Sequence, residues 1–320
     1  MGICASSNVV HSSSDADDIF GAAVVYCSKT TAGRRGSAYS LTGSKGLNQD
    51  SAILYQGYGG EDGVLCAVFD GHGQNGHAVS NLVRNHLPEL LLRHHNNTSG
   101  DGENNNMIKE ACVISAFTAM DKDIKILHDQ TTFDLASSGS TAALVIKHGE
   151  ELVVANLGDS RAILGQRSDG KKGEKVVPFQ LTTDLKPGLP CEAERIRKCK
   201  GRVLALKEES HILRVWLPYD DSPGLAMSRA FGDFMLKQYG VIATPDISYH
   251  HLSPDDEFLV IATDGVWDVL TNETVVSIVS SARSQEEAAK LVVEEAAAAW
   301  ESKYPNSRRD DCTVVCLFLR

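Results

Sequence analysis

The stretch 141–164 constrains the fold most. Apolar runs at 141–147 and 151–156 are joined by little more than His148-Gly149, and a third run follows at 161–164. Parallel strands need a crossover of a dozen or more residues, so so short a connection favours antiparallel pairing. Similar runs occur at 52–55, 64–69, 258–262 and 313–319. Several have one polar-facing side, as strands with one solvated face do. Helical periodicity is clear at 76–93, where Val79, Leu82, Val83, Leu87 and Leu90 lie on one stripe, and recurs near 107–127, 272–281 and 285–301. Ser284 with Glu287 makes a capping box for the last helix. Helices come in pairs between groups of strands and do not alternate strictly with them. The expected class is α+β, with helices packed outside antiparallel sheets.

Residues 1–35 are rich in Ser, Gly and other small residues and lack periodicity, so they are expected to form a disordered tail. From 36 to 320 apolar runs recur without a linker long enough to divide them, which gives one domain. The polar stretch His94 to Asn106 is the main insertion, and 168–175 looks like a charged hairpin tip. Lys plus Arg number 31 against 42 Asp plus Glu, a formal charge of −11. That sign argues against general affinity for nucleic acid or anionic lipid. No apolar run reaches the 18 residues of a membrane-spanning helix. The eight cysteines include no CxxC pair, and no secretory leader is visible. Cys66, Cys312 and Cys316 lie within apolar runs, where buried thiols are expected, and a reducing compartment is expected for the chain.

The aspartates carry the chemistry. The run 64–69 ends in Asp70-Gly71-His72-Gly73, the run 258–263 in Asp264-Gly265-Val266-Trp267-Asp268, and the run 152–157 in Gly158-Asp159-Ser160-Arg161. Asn48-Gln49-Asp50 precedes a strand, and Asp310-Asp311 precedes the last one. One Asp-Gly after a strand is an ordinary turn. Several in one domain place carboxylates together at a sheet rim, where they repel unless protonated or neutralised by cations. An oxygen-only cluster suits hard ions such as Mg²⁺ or Mn²⁺, and two such ions can hold a phosphoryl group and activate water. Gly71 to Gly76 also fits GxGxxG. However, Asp70 would point a carboxylate at the pyrophosphate, and no parallel strand follows the helix, so a dinucleotide site is not expected.

Seven motifs then line up. Asn48-Gln49-Asp50, Phe69-Asp70-Gly71-His72-Gly73, Ser138-Gly139-Ser140-Thr141-Ala142, Gly158-Asp159-Ser160-Arg161, Ala226 to Asp233 (AMSRAFGD), Thr263 to Asp268 (TDGVWD) and Asp310-Asp311-Cys312-Thr313 occur in the order of the metal-dependent type 2C protein phosphatases. Over residues 38–320 the chain resembles a plant member of that family. The resemblance implies an αββα sandwich, two antiparallel sheets with helices outside and metals at one edge. It implies hydrolysis of phosphoserine and phosphothreonine on proteins by water activated at two Mg²⁺ or Mn²⁺ ions, with a third ion in some relatives. Asp50, Asp70, Asp264 and Asp310 would be carboxylate ligands, and the Gly71 carbonyl a further one. Asp159 and Asp268 would help hold the third ion. His72 would protonate the leaving oxygen, a role suited to imidazole near neutrality. Phosphoprotein substrates, and protein kinases or their targets, are the implied partners of a monomer. The alternative is an inactive phosphoprotein-binding scaffold.

The sequence departs from the family pattern at several positions. Lys45 stands where many relatives have a phosphate-binding arginine, and offers a point charge in place of a two-pronged fork. Gln49 replaces a common acidic residue, Leu185 in Asp184-Leu185-Lys186-Pro187 replaces a histidine, and Asp311 replaces an asparagine. Trp216 falls in the family's variable flap at the position of a receptor-contacting tryptophan in one plant branch, and is expected to be a core residue. At the amino terminus, Met1-Gly2-Ile3-Cys4-Ala5-Ser6 fits a myristoylation signal on Gly2, with Cys4 available for palmitoylation. One chain binds membranes only marginally, so both are needed for durable attachment. The expected location is the cytoplasmic face of the plasma membrane when acylated, and otherwise the cytosol or nucleus.

Overall fold

The computed structural model describes residues 23–28, 35–98, 108–131, 135–168, 175–207 and 209–320. Two sheets pack face to face. The first has the order β1 (Val24–Ser28), β3 (Asp50–Gln56), β4 (Val64–His72), β6 (Ala142–His148), β7 (Glu151–Leu157) and β14 (Asp246–His251). The second has the order β2 (Gly36–Leu41), β16 (Cys312–Phe318), β15 (Asp256–Ala262), β8 (Arg161–Arg167) and β9 (Val176–Gln180). Two short strands, β5 (Gly139–Ser140) and β13 (Phe231–Gly232), extend β4 at one end. The connection at His148-Gly149 makes the expected antiparallel hairpin, with Ala142 opposite Leu157 and His148 opposite Glu151.

Side-chain alternation on β4 shows how the layers form. Leu65, Ala67 and Phe69 pack with Val83, Leu87, Phe117 and Met120 of α1 (Gly76–Thr98) and α2 (Glu110–Gln130). Cys66 and Val68 point the other way and meet Ile261 and Val315 of the second sheet. On that sheet's outer face, Val260 and Val314 pack with Val276, Val292 and Val293 of α6 (Asn272–Ser281) and α7 (Ala288–Lys303). The result is the αββα order. Central strands are therefore buried on both faces, which corrects the reading of polar-facing sides and explains their near-continuous apolar sequence. Smaller helices α3 (Pro190–Lys198), α4 (Phe234–Lys237) and α5 (Asp264–Trp267) lie near the rim motifs.

Several boundaries differ from the sequence reading. The tail expected over 1–35 contains β1, which pairs in parallel with β3 from Val24 opposite Ala52 to Ser28 opposite Gln56. Its consecutive Val24, Val25 and Tyr26 supply a strand at the sheet edge that short length concealed. Residues 1–22, with Gly2 and Cys4, lie outside the described residues. The insertion begins later than expected, because α1 continues to Thr98. The last helix starts at Ala288. Ahead of it Glu287 Oε1 accepts the Ser284 N–H at 3.2 Å, the reach-back half of the capping box.

A separate three-stranded sheet, β10 (Arg202–Ala205), β11 (Leu213–Trp216) and β12 (Pro223–Leu225), forms the flap. Trp216 is buried there, donates its Nε1–H to the Leu204 carbonyl at 3.0 Å, and lays its ring on Gly224. Gly224 has φ +75, and a Cβ would stand 2.4 Å from the indole. Trp216 holds the flap together, as a core residue would.

Candidate active site

The rim carboxylates arrive from five strand ends. Asp50 lies directly opposite Asp70 in the β3–β4 ladder. At the same end, β15 passes through Thr263 into α5, whose first residue is Asp264. Asp310 and Asp311 lead into β16, and Asp159 follows β7. The sheets are tied at this rim because Thr263 Oγ1 donates to Asp50 Oδ2 at 2.8 Å. Glycines permit the approach. A Cβ on Gly71 would lie 2.4 Å from the Gly76 carbonyl oxygen and 2.5 Å from that of Gln49. A Cβ on Gly265 would lie 1.9 Å from the Asp311 carbonyl oxygen.

The electrostatics follow from this crowding. Burial pushes the Asp70 carboxyl well above the usual range, and the charges of Asp264, Asp50, Asp310 and Asp159 add to it. Asp264 is likewise raised by burial, then by Asp159, Asp310 and Asp268, against the opposing Lys186. Asp50 is raised by burial and Asp311, with hydrogen bonds from Thr313 and Thr263 opposing. Burial raises Asp268, which Lys186 partly offsets. Each group is thus costly as a lone anion and favourable beside a cation. Among the described residues, no three His, Cys, Asp or Glu side chains close into a cage. The carboxylates line an open rim, and their oxygen-only chemistry fits Mg²⁺ or Mn²⁺.

Two lysines already lie on this rim. Lys45, half exposed, pairs with Asp310 Oδ2; burial pulls its pKa down, and Asp310 together with Asp264 and Asp70 more than offsets this, so it is raised. Lys186 Nζ stands 2.7 Å from Oδ2 of the buried Asp159, whose Oδ1 has no hydrogen-bond partner. Asp311 stands close enough to Asp50 to raise that group's pKa, but both of its oxygens are engaged by backbone. Its oxygens accept the backbone N–H of Gly43 at 2.7 Å and of Gln49 at 2.8 Å, so it shapes the loop that carries Lys45. That division of labour supports Asp310 as the rim carboxylate of the pair. Gln49 itself donates to the Gly73 carbonyl at 3.0 Å. Leu185 is buried where the resemblance led one to look for histidine, and its backbone carbonyl accepts from Ser228 Oγ at 2.7 Å.

His72 extends from the end of β4 and pairs through Nε2 with Asp233 Oδ2 at 2.7 Å. Burial pulls the imidazolium down, but Asp233 more than compensates and its pKa is raised. Sequence reasoning assigned Asp233 no role, although its Gly-Asp ending repeats the rim pattern. It also missed Glu192 on α3. This carboxylate is 1% exposed and accepts Arg229 Nη2 at 2.7 Å, Arg195 Nη2 at 2.7 Å and Ser228 Oγ at 2.6 Å. It thereby fixes the AMSRAFGD segment that presents Asp233. The thiol at the rim, Cys312, donates to the Gly265 carbonyl at 3.3 Å and burial pushes its pKa up, so it is no nucleophile.

A rim of buried carboxylates on an αββα sandwich is the arrangement of a divalent-cation site, and the comparisons supply the class of protein. Residues 36–302 match the family model "Protein phosphatase 2C". "Probable protein phosphatase 2C 61" of Arabidopsis thaliana is 54% identical over 89% of this chain and 84% of its own length. "Probable protein phosphatase 2C 12" of Oryza sativa subsp. japonica is 44% identical over 100% of this chain and 92% of its own. A serine-threonine phosphatase 2C from Toxoplasma gondii, 24% identical, superposes with a TM-score of 0.77 over 88% of this chain and 94% of that one, which shows the shared fold. The chain belongs to the protein phosphatase 2C family, among its plant members, and is a protein serine/threonine phosphatase.

Proposed function

We propose that the rim holds two Mg²⁺ or Mn²⁺ ions through Asp50, Asp70, the Gly71 carbonyl, Asp264 and Asp310, with Asp159 and Asp268 forming a third, weaker site. The carrying observation is the register of Asp50 against Asp70, with Asp264 and Asp310 acting on the same carboxylate. Bound there, divalent cations supply neutralisation of the phosphoryl oxygens and activation of water. Lys45 adds a point charge that draws the phosphate to the mouth of the site. His72 supplies a proton for the leaving seryl or threonyl oxygen, with Asp233 holding the ring. No side chain forms a covalent intermediate. Phosphoproteins are the substrates, with protein kinases or their targets among them, and the chain acts as a monomer.

The test combines turnover with a direct metal measurement. Hydrolysis of p-nitrophenyl phosphate should require Mn²⁺ or Mg²⁺ and stop on chelation, and calorimetric titration should count two strong sites. Loss of one strong site in Asp70→Asn or Asp264→Asn supports the assignment. Wild-type-like binding in both variants overturns it.

We further infer acylation of Gly2 and Cys4, which would place the enzyme on the cytoplasmic face of the plasma membrane. No helix of the described residues is long and apolar enough to cross a membrane, and a charge of −11 opposes adhesion to an anionic surface. Acyl chains would supply the attachment, at about 0.8 kcal/mol per buried CH₂. Gly2→Ala should release the protein on fractionation and Cys4→Ser should weaken its retention. An unmodified amino-terminal peptide by mass analysis ends this reading and leaves the protein in the cytosol or nucleus.

A further inference from the structure

We propose that Asp233 is the positioning residue that fixes the orientation and tautomer of His72, a proposal resting on the reading of His72 as the proton donor. Several features converge on this pair. Asp233 is 1% exposed, and its Oδ2 is 2.7 Å from His72 Nε2. An ionised carboxylate only accepts, so the ring carries its proton on Nε2 and turns Nδ1 toward other partners. Nδ1 is buried and has no hydrogen-bond partner among the described residues. With Nε2 engaged by Asp233, Nδ1 is the ring nitrogen left for proton exchange.

The backbone is shaped around the same contact. His72 lies opposite Gly139 in the β4–β5 pairing, and Gly139 lies opposite Gly232 in the β5–β13 pairing. Gly139 therefore separates the strands carrying the two side chains, which meet over its Cα. A Cβ there would stand 2.4 Å from Asp233 Oδ2 and 2.8 Å from His72 Nε2. Asp233 adopts φ 50 and ψ 43, left-handed backbone that non-glycine residues visit uncommonly. Its N–H is held by the Ser138 carbonyl at 3.0 Å. The segment is then fastened from α2, where Asp121 Oδ1 accepts the Gly232 N–H at 2.9 Å and Lys237 Nζ at 3.0 Å. Lys237 also donates to the Ala230 carbonyl at 2.7 Å. A strained residue braced on three sides delivers one carboxylate oxygen to one imidazole nitrogen, which is how a second residue orients a proton-transfer histidine.

The test uses leaving-group dependence. A phosphothreonine peptide leaves as a poor alkoxide that needs a proton, whereas p-nitrophenolate leaves with little help. Asp233→Asn keeps the size and the tolerance of left-handed backbone but presents an amide, which no longer fixes the Nε2–H tautomer. The ratio of kcat on peptide to kcat on p-nitrophenyl phosphate should fall about tenfold or more, with KM for the peptide little changed. In chelated protein labelled with ¹⁵N-histidine, the His72 signal, assigned by its loss in His72→Gln, should change from the Nε2–H to the Nδ1–H pattern. Equal losses on both substrates, an unchanged ratio, or an unchanged His72 tautomer would each overturn the proposal. If His72→Gln itself leaves the ratio intact, the proton-donor reading is what fails. If His72→Gln lowers the ratio and Asp233→Asn does not, the failure belongs to Asp233 alone.

Discussion

Replacing Glu192 with glutamine tests whether one buried carboxylate organises the segment behind the active site. Burial alone would raise the pKa of Glu192, but hydrogen bonds from Arg229, Arg195 and Ser228 prevail and hold it at about 2, against 4.5 for an ordinary glutamate. The depressed value means the ionised form stabilises the fold. That contribution is fully present above pH 4.5 and is lost as pH falls toward 2. A difference of 2.5 units at 1.36 kcal/mol per unit gives about 3 kcal/mol. Glutamine keeps the shape, yet it leaves two guanidinium groups facing a neutral amide, and breaking a buried pair costs about 3–5 kcal/mol. Urea unfolding of chelated wild type and Glu192→Gln should therefore differ by about 3 kcal/mol at pH 7. At pH 3, one and a half units below 4.5, the gap should be smaller by about 2 kcal/mol. A gap under about 1 kcal/mol at pH 7, or one that stays constant down to pH 3, would refute the reasoning.

Three further outcomes follow from the rim. Asp70→Asn and Asp264→Asn should lose turnover and metal affinity together, yet melt no lower than wild type in chelator, because each removes a carboxylate whose folded pKa is raised and whose charge is destabilising at neutral pH. Gly139→Ala should lower Tm and turnover together, since its Cβ would lie 2.3 Å from the rigid Phe231 carbonyl oxygen as well as between His72 and Asp233. Lys186→Ala should destabilise the chelated protein by about 1–3 kcal/mol, because it strips the cation from the buried Asp159, and added Mn²⁺ should restore part of the loss.

Much of this architecture is legible in the sequence where burial leaves a pattern. The helix at 272–281 and the hairpin around Gly149 fall where periodicity and loop length place them. Strand β14 was missed because its residues are mostly exposed. Asp-Ile-Ser-Tyr-His-His has little apolar content, and its place is set by backbone pairing with β7. The short strands of the flap are likewise held by tertiary packing around Trp216. For the site, strand-then-Asp-Gly was a visible signature, and the resemblance supplied a role for each carboxylate. The partners of those groups were not readable. That Lys186 rests on Asp159, that Asp311 serves a loop, and that Asp233 meets His72 depend on contacts across 27, 268 and 161 residues of sequence. No local pattern encodes a hydrogen bond over such separations.

The parallel pairing of β1 gives the molecule a direction of pull. Because Val24 is matched to Ala52 and Ser28 to Gln56, the chain enters the first sheet from the end that carries Asp50. The 23 residues ahead of Val24, even fully stretched, span no more than roughly 80 Å. A tether fixed at the amino terminus would therefore draw on the end of the sheet that carries the carboxylate rim and not on the far ends of the strands. Were the amino terminus acylated as proposed, the accessible volume of the enzyme would be a shell no deeper than that reach above its anchor, with the mouth on the side of the leash. Phosphorylated tails of neighbouring membrane proteins would fall within that shell, while a substrate free in solution would gain nothing from it.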